Sequence, residues 1–225
     1  MVKIPKDLRA VILDLDGTLI DTAGEIAAAL ERAFAELGVP ALPHDAVAAL
    51  IGRGVQSLVE RALAQSGGGA IDRDEAVARF ESHYARTVAT EARLFAGVLE
   101  GLRLLHVAGF RLGVVTNKPR FFTERLLKRA KIDRFFVAVV AGDDAIRRKP
   151  HGDMLEAACR KMDTAPGETL VIGDSDNNVE AARAAGCPVW CVPYGYNAGC
   201  APESLACDRL VATVEEAARM LAAAV

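Results

Sequence analysis

Four short apolar runs stand out from the chain: 10–13 (AVIL), 112–115 (LGVV), 137–140 (VAVV) and 170–172 (LVI), each followed by polar or glycine residues. A run that is apolar throughout, rather than at alternate positions, predicts a strand covered on both faces, as in a parallel sheet. Between the runs the apolar residues recur at helical spacing: Phe122, Leu126 and Ala130 share one face, as do Val179, Ala182 and Gly186. Segments 189–192 and 209–212 predict a fifth and a sixth strand, and the alanine-rich stretch 214–224 a last helix. Strands alternating with helices imply βαβ units, hence an α/β fold with a doubly wound, Rossmann-like parallel sheet.

Segment 22–94 breaks this alternation and holds no convincing buried strand. Ile26, Leu30, Phe34 and Leu37 predict a helix that Gly38 and Pro40 stop. Val47, Leu50 and Ile51 begin another, Leu58, Ala62 and Leu63 a third, and Val77, Phe80 and Tyr84 continue helically beyond a turn at Gly67-Gly68-Gly69. The expected organisation is an α/β core formed by 1–21 plus 95–225, with 22–94 as an inserted helical cap domain.

Composition narrows the class. With 225 residues, 52% hydrophobic and 25% charged, the chain can bury a substantial core and is not disordered. A net charge of -3 gives no reason to expect a nucleic-acid partner. The apolar run before Asp14 is too short for a signal-peptide core. The longest charge-free stretch, 184–202, is punctuated by Pro188, Pro193 and Pro202, which disfavours a membrane helix. The expectation is a cytoplasmic protein with no membrane partner; its oligomeric state is unknown from sequence. Five cysteines, an odd number without CxxC spacing, predict reduced thiols rather than disulfides or a zinc framework.

Candidate chemistry lies where the strands end. Ligands of open α/β sheets bind at the carboxyl ends of the strands. The first run delivers Asp14-Leu15-Asp16-Gly17-Thr18, the second Thr116-Asn117, and the fourth Gly173-Asp174, while Lys149 follows the third. Singly, each has a plainer reading: a polar strand end for Asp14 and Asp16, a helix cap for Thr116-Asn117, a solvated charge for Lys149, a turn for Asp174. Together, three carboxylates, a hydroxyl and a cation gather on one rim, which the plainer readings do not explain.

These pieces resemble, in order, the four motifs of the haloacid dehalogenase superfamily of phosphatases: LDLDGTL at 13–19, VVTNKP at 114–119, KPH at 149–151 and VIGDS at 171–175. The resemblance spans nearly the whole chain, and with GYN at 195–197 it is most like the phosphoglycolate phosphatases. It implies an enzyme that hydrolyses a small phosphate ester, 2-phosphoglycolate by preference, with Mg²⁺ as cofactor. Asp14 would be the nucleophile, forming an aspartyl-phosphate, and Asp16 the acid–base. Thr116, Asn117 and Lys149 would bind phosphate. Asp14, the main-chain carbonyl of Asp16, and Asp174 would hold the metal. Arg53, in the glycine-flanked loop Ile51-Gly52-Arg53-Gly54, is the candidate for gripping a substrate carboxylate, with an exposed helix-end arginine as the alternative.

Two positions depart from the pattern. Asn178 stands where relatives commonly carry an aspartate, so Mg²⁺ binding is expected to be weaker unless the position only supports the ligands. Gly152 replaces the second proline of KPHP, and is expected to loosen that loop. Other small substrates such as a sugar phosphate, a phosphomutase of the same superfamily, and a non-catalytic binding protein are the alternative functions.

Overall fold

The computed structural model describes residues 7–144 and 147–224; residues 1–6, 145–146 and 225 of the expected core lie outside them. A six-stranded, all-parallel sheet has the order β5-β4-β1-β6-β7-β8. Its strands are β1 (Ala10–Leu13), β4 (Arg111–Val115), β5 (Ala138–Val140), β6 (Thr169–Gly173), β7 (Val189–Cys191) and β8 (Arg209–Leu210). A minor pair, β2 (Ile20–Asp21) with β3 (Arg93–Leu94), runs antiparallel.

The apolar runs of β1 and β6 are explained by what covers them, whereas Val137, at the start of the third run, lies outside β5 and is exposed. Val11 and Leu13 of β1 point into one core, whereas Ala10 and Ile12 point into another. Leu170 and Ile172 of β6 share the first core and Val171 the second. A strand buried on both faces has no position where a polar side chain could reach water, so alternation is lost. One face carries α5 (Val98–Val107) against α9 (Val214–Ala222), with Phe122, Leu126 and Leu127 of α6 (Arg120–Arg129); the other carries α7 (Asp153–Met162) and α8 (Asp176–Ala185). Ala130 and Gly186 close α6 and α8 as caps, Gly186 with φ 77°.

The chain leaves the sheet through β2 and returns through β3, whose pairing holds the two crossings side by side. Between them lie α1 (Ala23–Glu36), α2 (His44–Ala48), α3 (Val55–Gln65) and α4 (Arg73–Thr87), with α1 and α3 packed on α4 and α2 on α1. Buried Glu25 on α1 accepts the N–H groups of Ala89 (2.9 Å), Glu91 (2.7 Å) and Ala92 (3.0 Å), which fixes the return loop by charge-assisted bonds. The second predicted helix is shorter than expected. Leu50 and Ile51 are buried but lie beyond α2, in a turn that leads to Gly52 with φ 112°, a conformation that favours glycine.

Gly152 does not loosen its loop. A Cβ there would lie 2.8 Å from the N of Ala185 and 3.0 Å from the C of Ala184, so glycine lets the start of α7 press onto the end of α8. Gly152→Pro is therefore expected to lower stability, by about 1–3 kcal/mol for an overpacked contact, in chemical denaturation. An unchanged midpoint would show that the contact relaxes freely.

Candidate active site

The chain after β1 turns tightly: the N–H groups of Leu19 and Ile20 both donate to the Leu15 carbonyl, and Gly17 takes φ 81°. This turn sets Asp14 and Asp16 at the sheet's carboxyl edge. Asp14 is held by three donors. Lys149 Nζ and Asn178 Nδ2 each lie 2.7 Å from its Oδ2, and the Leu15 N–H donates to Oδ1 at 2.7 Å. Lys149 is 4% exposed and also donates to the Val115 carbonyl at 3.0 Å, which anchors the ammonium at the end of β4.

Asp174, at the end of β6, accepts from Thr18 Oγ1 (3.2 Å) and the Tyr196 N–H (2.7 Å). Burial, and then the Asp14 charge, push its pKa up to about 7, against the opposing pull of these donors and Lys149. Two glycines wall this carboxylate: a Cβ at Gly17 or Gly195 would come within 2.2 or 2.3 Å of Asp174. Tyr196 also reaches the start of the insert. Its hydroxyl accepts from the N–H groups of Thr22 (2.9 Å) and Ala23 (3.1 Å) and donates to Asp21.

Thr116 and Asn117 lie where expected, at the end of β4, but the Asn117 side chain is already engaged. Its Nδ2 donates to the carbonyls of Lys149 (2.9 Å) and Gly52 (3.0 Å), and its Oδ1 accepts the Lys149 N–H (3.0 Å). Asn177 Nδ2 donates to the same Gly52 carbonyl at 2.9 Å. Two amides of the α/β core thus clasp the loop between α2 and α3 over the strand ends. Gly54 fits this approach, since a Cβ there would meet the Asn117 carbonyl at 3.3 Å.

Asn178 has one consistent amide orientation. Its Oδ1 accepts from Ser175 Oγ (2.8 Å) and from the N–H groups of Asp174 and Ser175 (both 3.2 Å), so Nδ2 faces Asp14. The side chain ties the ends of β1 and β6 together.

Beneath the clasp lies a cleft lined by Asp14, Asp16, Thr116, Asn117 and Lys118, and by apolar insert residues including Leu58, Phe80 and Tyr84. Lys118, which sequence reasoning passed over, donates to both Asp16 oxygens at 2.8 and 2.9 Å. Its Nζ sits 5.0 Å from the Tyr84 ring centroid. Burial opposes the Lys118 charge, but Asp16 outweighs it and the ammonium pKa is raised. Thr22 Oγ1 adds a 2.6 Å bond to Asp16 Oδ1. Arg53 is exposed and lines a neighbouring groove with Arg61, Asp176 and Tyr196, which adjoins the cleft at Ile51 and Gly52. The signal for Lys118 was its place within TNKP, and for Tyr196 its place within GYN; spacing gave neither a partner.

Among the described residues no group of three or more His, Cys, Asp or Glu side chains is placed to hold a metal ion, no helix is long and apolar enough to cross a membrane, and all five cysteines are free thiols.

Comparison with known proteins identifies the family. The family model of haloacid dehalogenase-like hydrolases matches residues 11–192. The phosphoglycolate phosphatase of Nitrosospira multiformis is 41% identical over 220 residues, covering 96% of this chain and 97% of its own. That of Thiobacillus denitrificans is 41% identical over 228 residues, covering 98% and 99%. A crystal structure of a predicted phosphoglycolate phosphatase from Haemophilus somnus 129PT superposes with a TM-score of 0.90 at 28% identity, covering 96% of this chain and 98% of that one. Strand-end carboxylates on this sheet, and a family match that spans them all, give one conclusion: the chain belongs to the haloacid dehalogenase-like hydrolases.

Proposed function

We propose that the protein is a Mg²⁺-dependent phosphatase that hydrolyses 2-phosphoglycolate to glycolate and phosphate through an aspartyl-phosphate on Asp14. The observation that carries the reading is the Asp14 carboxylate itself, oriented by Lys149, Asn178 and the Leu15 N–H beside a second carboxylate, Asp16, in one cleft. Fixed orientation is what in-line phosphoryl transfer requires of a nucleophile. Asp14 would attack phosphorus, and Asp16 would protonate the departing ester oxygen and later take a proton from the attacking water. Lys149 and Thr116 would bind phosphate oxygens; Asn117, whose side chain is engaged, would contribute its main-chain N–H. The names of the relatives support 2-phosphoglycolate as the substrate. Arg53 and Arg61 border the groove and would draw anionic esters toward it.

The donor set suits Mg²⁺. Asp14 and Asp174 are two buried carboxylates with a strained charge balance, and the space kept by Gly17 and Gly195 lets them approach. They would hold the ion with the Asp16 carbonyl, a hard-oxygen set that waters complete. Bound there, Mg²⁺ would neutralise the charge between nucleophile and substrate.

Asn178 makes that set one charge poorer than an aspartate would. In chelator, Asn178→Asp is expected to be less stable than wild type by about 1–3 kcal/mol, because an oxygen replaces the N–H that faces Asp14. Mg²⁺ should then stabilise the variant more than the wild type. Equal responses in denaturant titrations would remove the idea.

The functional test is phosphate release from a panel of small esters with and without Mg²⁺. 2-Phosphoglycolate should be turned over fastest, and only with the metal. A sugar phosphate preferred over it, or no release from any ester, would overturn the reading.

A further inference from the structure

The geometry points to Lys118 as the residue that reads the substrate's carboxylate. This inference rests on the phosphoglycolate reading and concerns how that substrate is told from other esters. Lys118 is the only basic residue lining the cleft that holds Asp14, Asp16 and Thr116, among the described residues. The remainder of that lining is largely apolar, and Lys149, the other cation beside Asp14, lies outside it and is held by Asp14 and the Val115 carbonyl.

Position follows from the substrate's own chemistry. In 2-phosphoglycolate a single methylene separates the ester oxygen from the carboxylate carbon. If Asp16 protonates the ester oxygen, the cation that binds the carboxylate has to stand beside Asp16. Lys118 Nζ does so, at 2.8 and 2.9 Å from the two Asp16 oxygens. An ammonium has three N–H groups, and Asp16 takes two, which leaves one for a second anion. The Tyr84 face at 5.0 Å and a side chain only 5% exposed hold the ammonium in place. Arg53 lies instead on the adjoining groove with Ser175, Asp176 and Asn197.

The test compares kcat/KM for 2-phosphoglycolate and for 2-hydroxyethyl phosphate, which replaces the carboxylate by a neutral hydroxymethyl group, in wild type, Lys118→Met and Arg53→Ala. Wild type should prefer the carboxylate substrate, and Lys118→Met should shrink that preference by about 10²-fold, the discrimination lost with one buried charged contact. Lys118→Gln, which keeps an N–H donor, should lose less and serves where the methionine variant fails to fold. A residue that only steadied Asp16 would lower both substrates together; an unchanged preference in both lysine variants would overturn the assignment. So would Arg53→Ala abolishing the preference while Lys118→Met keeps it. A wild type with no preference would instead sink the choice of substrate, and this inference with it.

Discussion

Asp14→Asn is expected to abolish phosphate release, with a loss on the order of 10⁴-fold or more, as removal of an attacking group costs elsewhere. The substitution is nearly isosteric, yet it changes the bonding as well as the nucleophilicity. Both Asp14 oxygens accept hydrogen bonds, Oδ1 from the Leu15 N–H and Oδ2 from Lys149 and Asn178. An amide offers one acceptor, so one of these donors must face another N–H. Circular dichroism and a denaturant curve, measured beside phosphate release, separate the chemical loss from the structural one. A folded Asp14→Asn protein with more than about a tenth of wild-type turnover would show that the nucleophile lies elsewhere.

Lys149→Met is expected to give the largest loss of stability. It removes the ammonium from a pair in which both side chains are under a tenth exposed, and leaves Asp14 beside the equally buried Asp174. Breaking a buried pair from one side costs about 3–5 kcal/mol, because the remaining charge has neither water nor partner. The pH dependence has a definite sign. Asp174 already has its pKa raised to about 7 by burial and by Asp14, whereas an unfolded aspartate titrates near 3.9. Between these values the folded state binds more protons than the unfolded one, so this group's contribution to stability is present below the unfolded pKa and falls as pH rises through the window. Without Lys149 the two carboxylates repel more strongly. The deficit of Lys149→Met should therefore grow from about pH 5 to about pH 8. Denaturant midpoints in chelator across that range check it; a deficit independent of pH would mean that lost packing, not charge, dominates.

The sheet was legible because burial on both faces leaves a local mark, an unbroken apolar run, and each run's first polar residue marks a strand end. Asp14, Thr116, Asn117 and Asp174 were found in that way, and Lys149 by its place after the third run. What stayed hidden are contacts between residues far apart in the chain. Nothing near Lys118 in the sequence says that its ammonium meets Asp16, 102 positions earlier. Gly152 read as a loosened turn because the backbone it presses on belongs to α8, more than thirty residues later. Leu50 and Ile51 fitted a helical spacing, but two glycines that adopt positive φ, Gly52 and Gly54, turn the chain at that point toward the Asn117 and Asn177 amides. Asn178 looked like a missing charge until its partners were known; its amide donates to the oxygen that Lys149 also holds.

The most direct measurement is to quench the enzyme during turnover of 2-phosphoglycolate, treat it with borohydride and sequence its peptides by mass spectrometry. An acyl phosphate is reduced by hydride to an alcohol, so homoserine is expected in place of aspartate at position 14 and nowhere else. Substrate consumed with Asp14 unmodified, or the reduced residue found at Asp16 or Asp174, would contradict it.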